Sequence, residues 1–138
     1  MLRYAARKRF SADTGRGWLT AVDADSGAVR WRFRAPAPLV AGVTHTAGGL
    51  VLTGDLAGNF YAFDNATGNV AFQTNLGGSV AGGVMTYAAR GRQYIAATAG
   101  NIGRTTFGAL GSPTLVVLAL GTPEQASAAD RADPYGLW

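Results

Sequence analysis

The chain has 138 residues and a formal net charge of +4; 48% of the residues are hydrophobic, 14% are charged and none is cysteine. This composition excludes a disulfide-bonded scaffold and an intrinsically disordered chain, and it predicts a folded domain with an apolar core. No apolar run reaches the roughly 18 residues of a transmembrane helix, and no apolar stretch follows the charged N-terminus, so we expect neither a membrane span nor a signal peptide.

The first predicted unit, residues 1–16, is a basic segment that contains the run Arg7-Lys8-Arg9. Clustered basic side chains are typical of phosphate-binding surfaces. Eight of the twelve basic residues fall in the first 34 positions, but only this run is contiguous, so we expect no nucleic-acid partner. A contact of this segment with nucleic acid or an anionic membrane remains an alternative hypothesis, and it predicts binding that weakens steeply with salt.

Residues 17–35 are predicted to form a β-hairpin. In its second strand Arg30, Arg32 and Arg34 alternate with Trp31 and Phe33. A period of two residues is typical of a strand with one solvated face and one buried face. The arginines are therefore interpreted as a solvated strand face.

Residues 41–76 are predicted to contain four strands. A strand pair, Ala41 to Thr46 and Leu50 to Thr53, is followed by a second hairpin that repeats the first one at an offset of 41 residues. The segment from Leu19 to Trp31 aligns with the segment from Phe60 to Phe72. A period of this length indicates stacked supersecondary units, each with the same strand order.

The turn of each hairpin has the form Asp-x-x-Ser/Thr-Gly, with Asp23 in the first copy and Asp64 in the second. An Asp side chain can cap its own turn, and the glycine supplies the positive φ that the turn requires. Because the same residue types recur in both copies, the two carboxylates are interpreted as turn formers and not as an acid–base pair.

Residues 82–120 restart the pattern with strands at Gly82 to Ala88, Gln93 to Thr98 and Thr114 to Leu120, and residues 121–138 are predicted to be a C-terminal tail. Four strands per period make a propeller blade. We therefore predict an all-β fold, a partial β-propeller of two to three four-stranded antiparallel sheets. The predicted domain is residues 17–120, with blade segments 17–35, 41–76 and 82–120. Since propellers close with about four to eight blades, we expect a segment of a larger assembly.

The repeat Ala-x-Asp-x-x-x-Gly-x-x-x-Trp resembles the tryptophan-docking motif of the PQQ-dependent (quinoprotein) alcohol dehydrogenases, which are eight-bladed propellers. The run from Thr46 to Gly54, the run from Gly58 to Asp64, and the segments Met85-Thr86-Tyr87 and Gly91 to Ala96 are similar to the last blades of that family, in the same order. The resemblance covers residues 17 to 120. It implies that Trp31, and more weakly Phe72, packs against the motif of a neighbouring blade.

The resemblance also implies a function. The expected role is that of a C-terminal part of an enzyme that oxidises an alcohol and transfers the electrons to pyrroloquinoline quinone (PQQ), with a calcium or lanthanide ion beside the quinone. The family's catalytic Asp and its metal ligands lie in earlier blades, so no catalytic or metal-binding residue is assigned here and the chain is expected to be inactive alone. Four residues are expected to wall the cofactor pocket: Val40, Ala41, Asn101 and Ile102.

The expected partners are the remaining propeller blades or further copies bound through open sheet edges, and the family implies a cytochrome c or quinone electron acceptor and a periplasmic location. The alternative function is a non-catalytic propeller scaffold or assembly module, because a fold does not determine a function. His45, the only histidine, is interpreted as a strand-face residue, since a zinc site takes three or four ligands.

Overall fold

The structure, a computed structural model, describes residues 15–100 and 112–119. These residues form three antiparallel sheets. The first sheet is the hairpin of β1 (Gly17–Val22) and β2 (Val29–Ala35). The second sheet has the order β3-β4-β5-β6 and consists of Thr44–His45, Leu50–Gly54, Asn59–Asp64 and Val70–Asn75. The third sheet has the order β7-β8-β9 and consists of Val84–Ala89, Arg92–Ala99 and Thr114–Ala119.

The second sheet is the centre of the described structure, because both faces of its middle strands are covered. Successive side chains of a strand point to opposite faces, and the middle strands β4 and β5 are apolar in almost every position. On one face Val51, Tyr61 and Phe63 pack against Trp31 and Phe33 of the first sheet. Every second residue of β4 and β5 therefore contributes to the contact with one neighbouring sheet.

The other face of the second sheet packs against the third sheet. Leu52 and Phe60 form a buried cluster with Val84, Ile95 and Ala97. The three sheets thus stack face to face in chain order, and the prediction of an all-β partial propeller is confirmed. One complete four-stranded blade lies between two sheets in which the structure describes two and three strands.

The first strand of the complete blade is shorter than the sequence pattern predicts. A strand was expected from Ala41 to Thr46, but β3 contains only Thr44–His45. The reason is that the amide of Gly42 donates its hydrogen bond to the carbonyl of Gly82, 3.0 Å away, instead of pairing with β4. The prediction for these residues was wrong because the contact between blades takes the backbone out of the sheet.

Residues 1–14, 101–111 and 120–138 lie outside the described residues. The division of the chain into a basic segment, a propeller domain and a tail therefore stays a prediction. No helix within the described residues is long and apolar enough to cross a membrane.

Candidate functional site

The candidate cofactor-facing surface is the pair of segments that lead into the second and third sheets. These two blade entrances run side by side. Gly42 in one donates to the carbonyl of Gly82 in the other, and the hydroxyl of Thr44 donates to the carbonyl of Val84. A Cβ on Gly82 would lie 2.1 Å from the hydroxyl oxygen of Thr98 in β8, so the packing of this entrance against β8 favours glycine.

Two of the four predicted pocket residues lie in the first entrance, and they have different surroundings. The side chain of Val40 is 49% exposed. Ala41 is half-buried and packs against the core between the second and third sheets. Val40 is therefore accessible to a ligand, whereas Ala41 packs mainly against the apolar core behind the entrance.

The other two predicted pocket residues, Asn101 and Ile102, lie outside the described residues. The chain just before them is fixed against the loop that leaves the second sheet, where the amide of Gly100 donates to the carbonyl of Ser79 over 3.0 Å. A Cβ on Gly78 would lie 2.8 Å from the Cα of Gly100. Whether Asn101 and Ile102 join Val40 in one wall stays a prediction.

The described part of the chain offers no metal centre, since it contains no group of three or more His, Cys, Asp or Glu side chains close enough to hold an ion. His45 lies exposed in β3, as expected for a strand-face histidine. The entrances instead present backbone groups and small apolar side chains. Such a surface can contact the face of a planar ring, but it supplies no general acid or base.

A second functional contact joins the first and second sheets through Trp31. The indole Nε1 donates a hydrogen bond of 2.8 Å to the carbonyl of Asn65, in the turn of the second hairpin. The ring lies over Gly68, where an added Cβ would come within 2.6 Å of the indole Cδ2. Trp31 therefore docks on the motif of the next blade, and the prediction of this contact is confirmed.

The corresponding aromatic of the second hairpin behaves differently. Phe72 is 50% exposed and approaches only Phe60 among the aromatic rings of the described residues, with ring centroids 6.5 Å apart. The position equivalent to the Asp64 turn would come after β9, outside the described residues. Docking of Phe72 stays a prediction.

The two Asp residues of the repeat cap their own turns, as predicted. Asp64 accepts hydrogen bonds from the amide and the hydroxyl of Thr67, both 2.8 Å long. Asp23 accepts the equivalent bonds from Ser26 at 3.0 and 2.9 Å. These bonds lower the pKa of both carboxyls, chiefly through the hydroxyl of Thr67 at Asp64 and through the amide of Ser26 at Asp23. Both groups are partly exposed turn formers.

Sequence reasoning missed one buried polar centre, the carboxylate of Asp55 in the turn between β4 and β5. Asp55 is fully buried and accepts hydrogen bonds from the amides of Ala57 and Asn59, from the side-chain amide of Asn59 and from the hydroxyl of Tyr61, at 2.8 to 3.0 Å. The available signal was the turn Gly54-Asp55-Leu56-Ala57-Gly58 between two apolar runs.

The Asp55 turn also fixes the loop that leads to the third sheet. The amide of Val80 donates to the carbonyl of Asp55 over 2.9 Å, and the hydroxyl of Ser79 donates to the carbonyl of Leu56 over 2.7 Å. Burial, together with the neighbouring carboxylate, raises the pKa of Tyr61 well above its ordinary value. The network therefore has a structural role: it fixes the entrance of the third sheet against the β4–β5 turn of the second sheet.

Comparison with known proteins places these features in context. A family model described as "PQQ_2: Outer membrane protein assembly factor BamB" matches residues 15–126. The chain is 39% identical over 84 residues to the quinoprotein ethanol dehydrogenase of Pseudomonas aeruginosa. The aligned residues cover 61% of this chain and 14% of that protein. It is 36% identical over 93 residues to methanol dehydrogenase [cytochrome c] subunit 1 of Paracoccus denitrificans. This alignment covers 67% of this chain and 15% of that protein.

Solved structures give the same picture. A europium-containing methanol dehydrogenase superposes with a TM-score of 0.58 at 33% identity, over 60% of this chain and 15% of that chain. The quinohemoprotein alcohol dehydrogenase from Comamonas testosteroni superposes with a TM-score of 0.65 at 24% identity, over 75% of this chain and 16% of that chain, and this similarity shows the fold. The chain thus spans about one seventh of the length of these proteins.

Proposed function

Because the chain belongs to the PQQ_2 family of propeller repeats, which covers residues 15–126, we propose that it forms part of the propeller of a PQQ-dependent alcohol dehydrogenase and is inactive alone. The observation that carries this proposal is the docking of Trp31 on Asn65 and Gly68. This contact makes the sheets a segment of a blade stack, and the similar curated proteins with the same segment are quinoprotein dehydrogenases.

The proposed contribution to cofactor binding is a wall, formed by Val40 with Ala41 behind it and completed by Asn101 and Ile102. The exposed Val40 side chain and the glycine-rich entrances fit the face of a planar quinone, because they are apolar and allow close approach. The bound quinone would accept the electrons of the alcohol. Val40 would orient its ring and exclude water, while the carboxylate base and the calcium or lanthanide ligands would come from other blades.

The same proposal extends to partners and location. The remaining blades would complete the ring, and a cytochrome c or a quinone would take up the electrons. Two relatives carry cytochrome c in their names, the lupanine 17-hydroxylase of a Pseudomonas species and the methanol dehydrogenase subunit of Paracoccus denitrificans. By this family relation, we place the assembled protein in the periplasm.

A chimera tests the proposal. In the quinoprotein ethanol dehydrogenase of Pseudomonas aeruginosa, the matching segment is replaced by residues 17–119 of this chain. Binding of PQQ is then measured by fluorescence, and ethanol oxidation is measured with a dye acceptor. We expect the chimera to bind PQQ and to oxidise ethanol, and the isolated chain with PQQ and calcium to show no turnover.

The wall itself is tested by Val40→Lys in the same chimera, with Val22→Lys as the matched control, since both valines are exposed. We expect Val40→Lys to weaken PQQ binding at least tenfold and Val22→Lys to leave it unchanged. A folded chimera that binds no PQQ would refute the enzyme assignment, and equal effects of the two variants would refute the wall.

A second candidate function is a non-catalytic scaffold or assembly module. The observation in its favour is that the matching family model is described as an assembly factor. The same chimera separates the two candidates, because a scaffold segment supports folding of the ring without supporting PQQ binding.

A further inference from the structure

The strongest unassigned surface is a cluster of Trp18, Arg32 and Arg34 on the face of the first sheet that points away from the second sheet, here called the Trp–Arg cluster. Trp18 lies directly opposite Arg34 in the register of β1 and β2. Both guanidinium carbons lie 5.6 Å from the centroid of the Trp18 ring. The indole is 56% exposed, so the cluster presents one aromatic ring flanked by two positive charges.

The two arginines of the cluster carry charge that the described residues leave unneutralised. Arg30, on the same strand, has its own partner, with its Nη1 3.2 Å from the Asp23 carboxylate. Within residues 15–100 and 112–119 this is the one ion pair, so Arg32 and Arg34 face no carboxylate there. They are held against Trp18 by cation–π contacts, which fix their positions without satisfying their hydrogen-bond donors.

The cluster lies on the face of the first sheet that corresponds to the stacking face of the second sheet, so the equivalent residues there show which of its side chains stay accessible when a blade packs on it. The 41-residue offset relates Trp18, Arg32 and Arg34 to three polar residues of the second sheet. These are Asn59, Gln73 and Asn75. The first sheet covers that face of the second sheet, where Gln73 and Asn75 remain exposed and Asn59, the equivalent of Trp18, is half-buried. We therefore expect Arg32 and Arg34 to stay on the surface even when another blade packs against the first sheet.

We propose that the Trp–Arg cluster is a docking site for an acidic surface of a partner protein. Trp and Arg are the residue types that contribute most to protein interfaces, and guanidinium groups bind carboxylates in a bidentate manner. A nucleic-acid surface would need a longer row of charges, since its affinity comes from many phosphate contacts. Here two guanidinium groups lie beside one indole ring. The guanidinium groups could bind two neighbouring carboxylates of a partner, and the indole could contact an apolar side chain next to them.

The proposal is tested on the full chain with a fluorescently labelled 12-residue peptide of alternating Glu and Thr, by anisotropy at low salt. We expect saturable binding that weakens as salt is raised. The double variant Arg32→Glu/Arg34→Glu should weaken it at least tenfold, and Trp18→Ala at least threefold. The matched control is Arg90→Glu, an exposed arginine in the β7–β8 turn, which should change it less than twofold.

Three outcomes would overturn the proposal. One is the absence of saturable binding, and another is equal weakening by the cluster variants and by Arg90→Glu. The third is tighter binding of a 12-nucleotide single-stranded DNA with the same dependence on Arg32 and Arg34, which would identify a phosphate-binding surface instead. Thermal unfolding of each variant, followed by circular dichroism, separates lost binding from lost folding, and Arg32→Gln/Arg34→Gln provides a second, neutral variant.

Discussion

Trp31 stabilises the stack of sheets through two contacts of different kinds, a hydrogen bond to Asn65 and a ring face against Gly68. Its side chain is half-buried, so its truncation should cost less than the loss of a fully packed tryptophan. We expect Trp31→Ala to lower the free energy of unfolding by about 2–3 kcal/mol. The measurement is urea unfolding followed by circular dichroism.

The matched control for Trp31 is Phe72→Ala, which removes the aromatic at the same position of the second repeat. Because Phe72 is half exposed, we expect a cost below about 1 kcal/mol. Equal losses for the two variants would show that the docking contact contributes nothing beyond ordinary burial.

Gly68 and Gly27 form a second matched pair at the residue scale. Both have positive φ, +74° and +71°, but only Gly68 has a neighbour, the ring of Trp31, whereas nothing lies within 4 Å of a Cβ on Gly27. An alanine at either site costs about 1–2 kcal/mol of backbone strain. We expect Gly68→Ala to cost about 1–3 kcal/mol more, measured by urea unfolding, because the added methyl group displaces the indole. Similar values for both would contradict the docked position of Trp31.

The hydroxyl of Tyr61 links stability to alkaline pH. Its pKa is raised in the folded protein, so the unfolded chain loses this proton first as the pH rises above about 10. Stability from this group is therefore fully present below pH 10 and falls as the pH approaches the folded-state pKa. We expect Tyr61→Phe to cost about 1–3 kcal/mol at pH 7, since Asp55 loses a buried donor.

The measurement for Tyr61 is urea unfolding between pH 8 and pH 11, where Tyr61→Phe should show a flatter decline than the unmodified chain. Tyr87→Phe, at an exposed tyrosine, serves as the control and should keep the full decline. A decline of equal slope in all three proteins would exclude Tyr61 as its source.

At the scale of the elements, each hairpin is held by a capped turn that resembles a small independent unit. In the second hairpin Gly68 donates to the carbonyl of Asp64 and Asp64 donates to the carbonyl of Asn69, both at 2.8 Å, while the carboxylate of Asp64 binds Thr67. The turn also accepts the hydrogen bond of Trp31 through Asn65. Turn formation and blade docking are thus coupled in one element.

This coupling predicts an effect at acidic pH. The pKa of Asp64 is lowered in the folded protein by its hydrogen bonds to Thr67, so the stabilisation is present above the unfolded value of about 3.8 and is lost as the pH falls below it. We expect Thr67→Ala to reduce the dependence of stability on pH between 2 and 5, measured by thermal unfolding. Ser79→Ala, outside the turn, should retain that dependence, and an unchanged slope in Thr67→Ala would contradict the prediction.

At the scale of the whole molecule, the outer face of the third sheet presents a group of exposed apolar side chains. Four large side chains on this face are at least 42% exposed. They are Met85, Tyr87, Leu115 and Val117. Sheet faces of this kind in a blade stack normally pack against another sheet, and bare ones favour association.

We therefore expect the isolated chain to associate as its concentration rises, and Leu115→Lys/Val117→Lys to reduce the average mass measured by light scattering. Val29→Lys is the control, because Val29, the first residue of β2, has a similar exposure but lies in the first sheet. A monodisperse monomer at all concentrations would show that this face needs no partner.

Local sequence determined the repeating elements of this protein. The Asp and Gly spacing in the two hairpins, the alternation of Arg with Trp31 and Phe33, and the 41-residue offset were enough to predict the four-stranded blade. The docking of Trp31 was expected only from the family resemblance. These features depend on turn geometry and on side-chain alternation, which act over a few residues. The resemblance of the repeat to one enzyme family then led to the proposal that the chain is part of a PQQ-dependent alcohol dehydrogenase.

Tertiary structure decided what depends on contacts between distant segments. The shortening of β3 follows from the bond between Gly42 and Gly82. The donors Asn59 and Tyr61 of Asp55 are local, but the loop at Val80 that bonds to the carbonyl of Asp55 comes from a segment 25 residues further along the chain. Likewise, only the packing separated the exposed Val40 from the supporting Ala41. Sequence specifies the turn and the strand, but burial of a given side chain is set by the neighbouring blade, which no local pattern encodes.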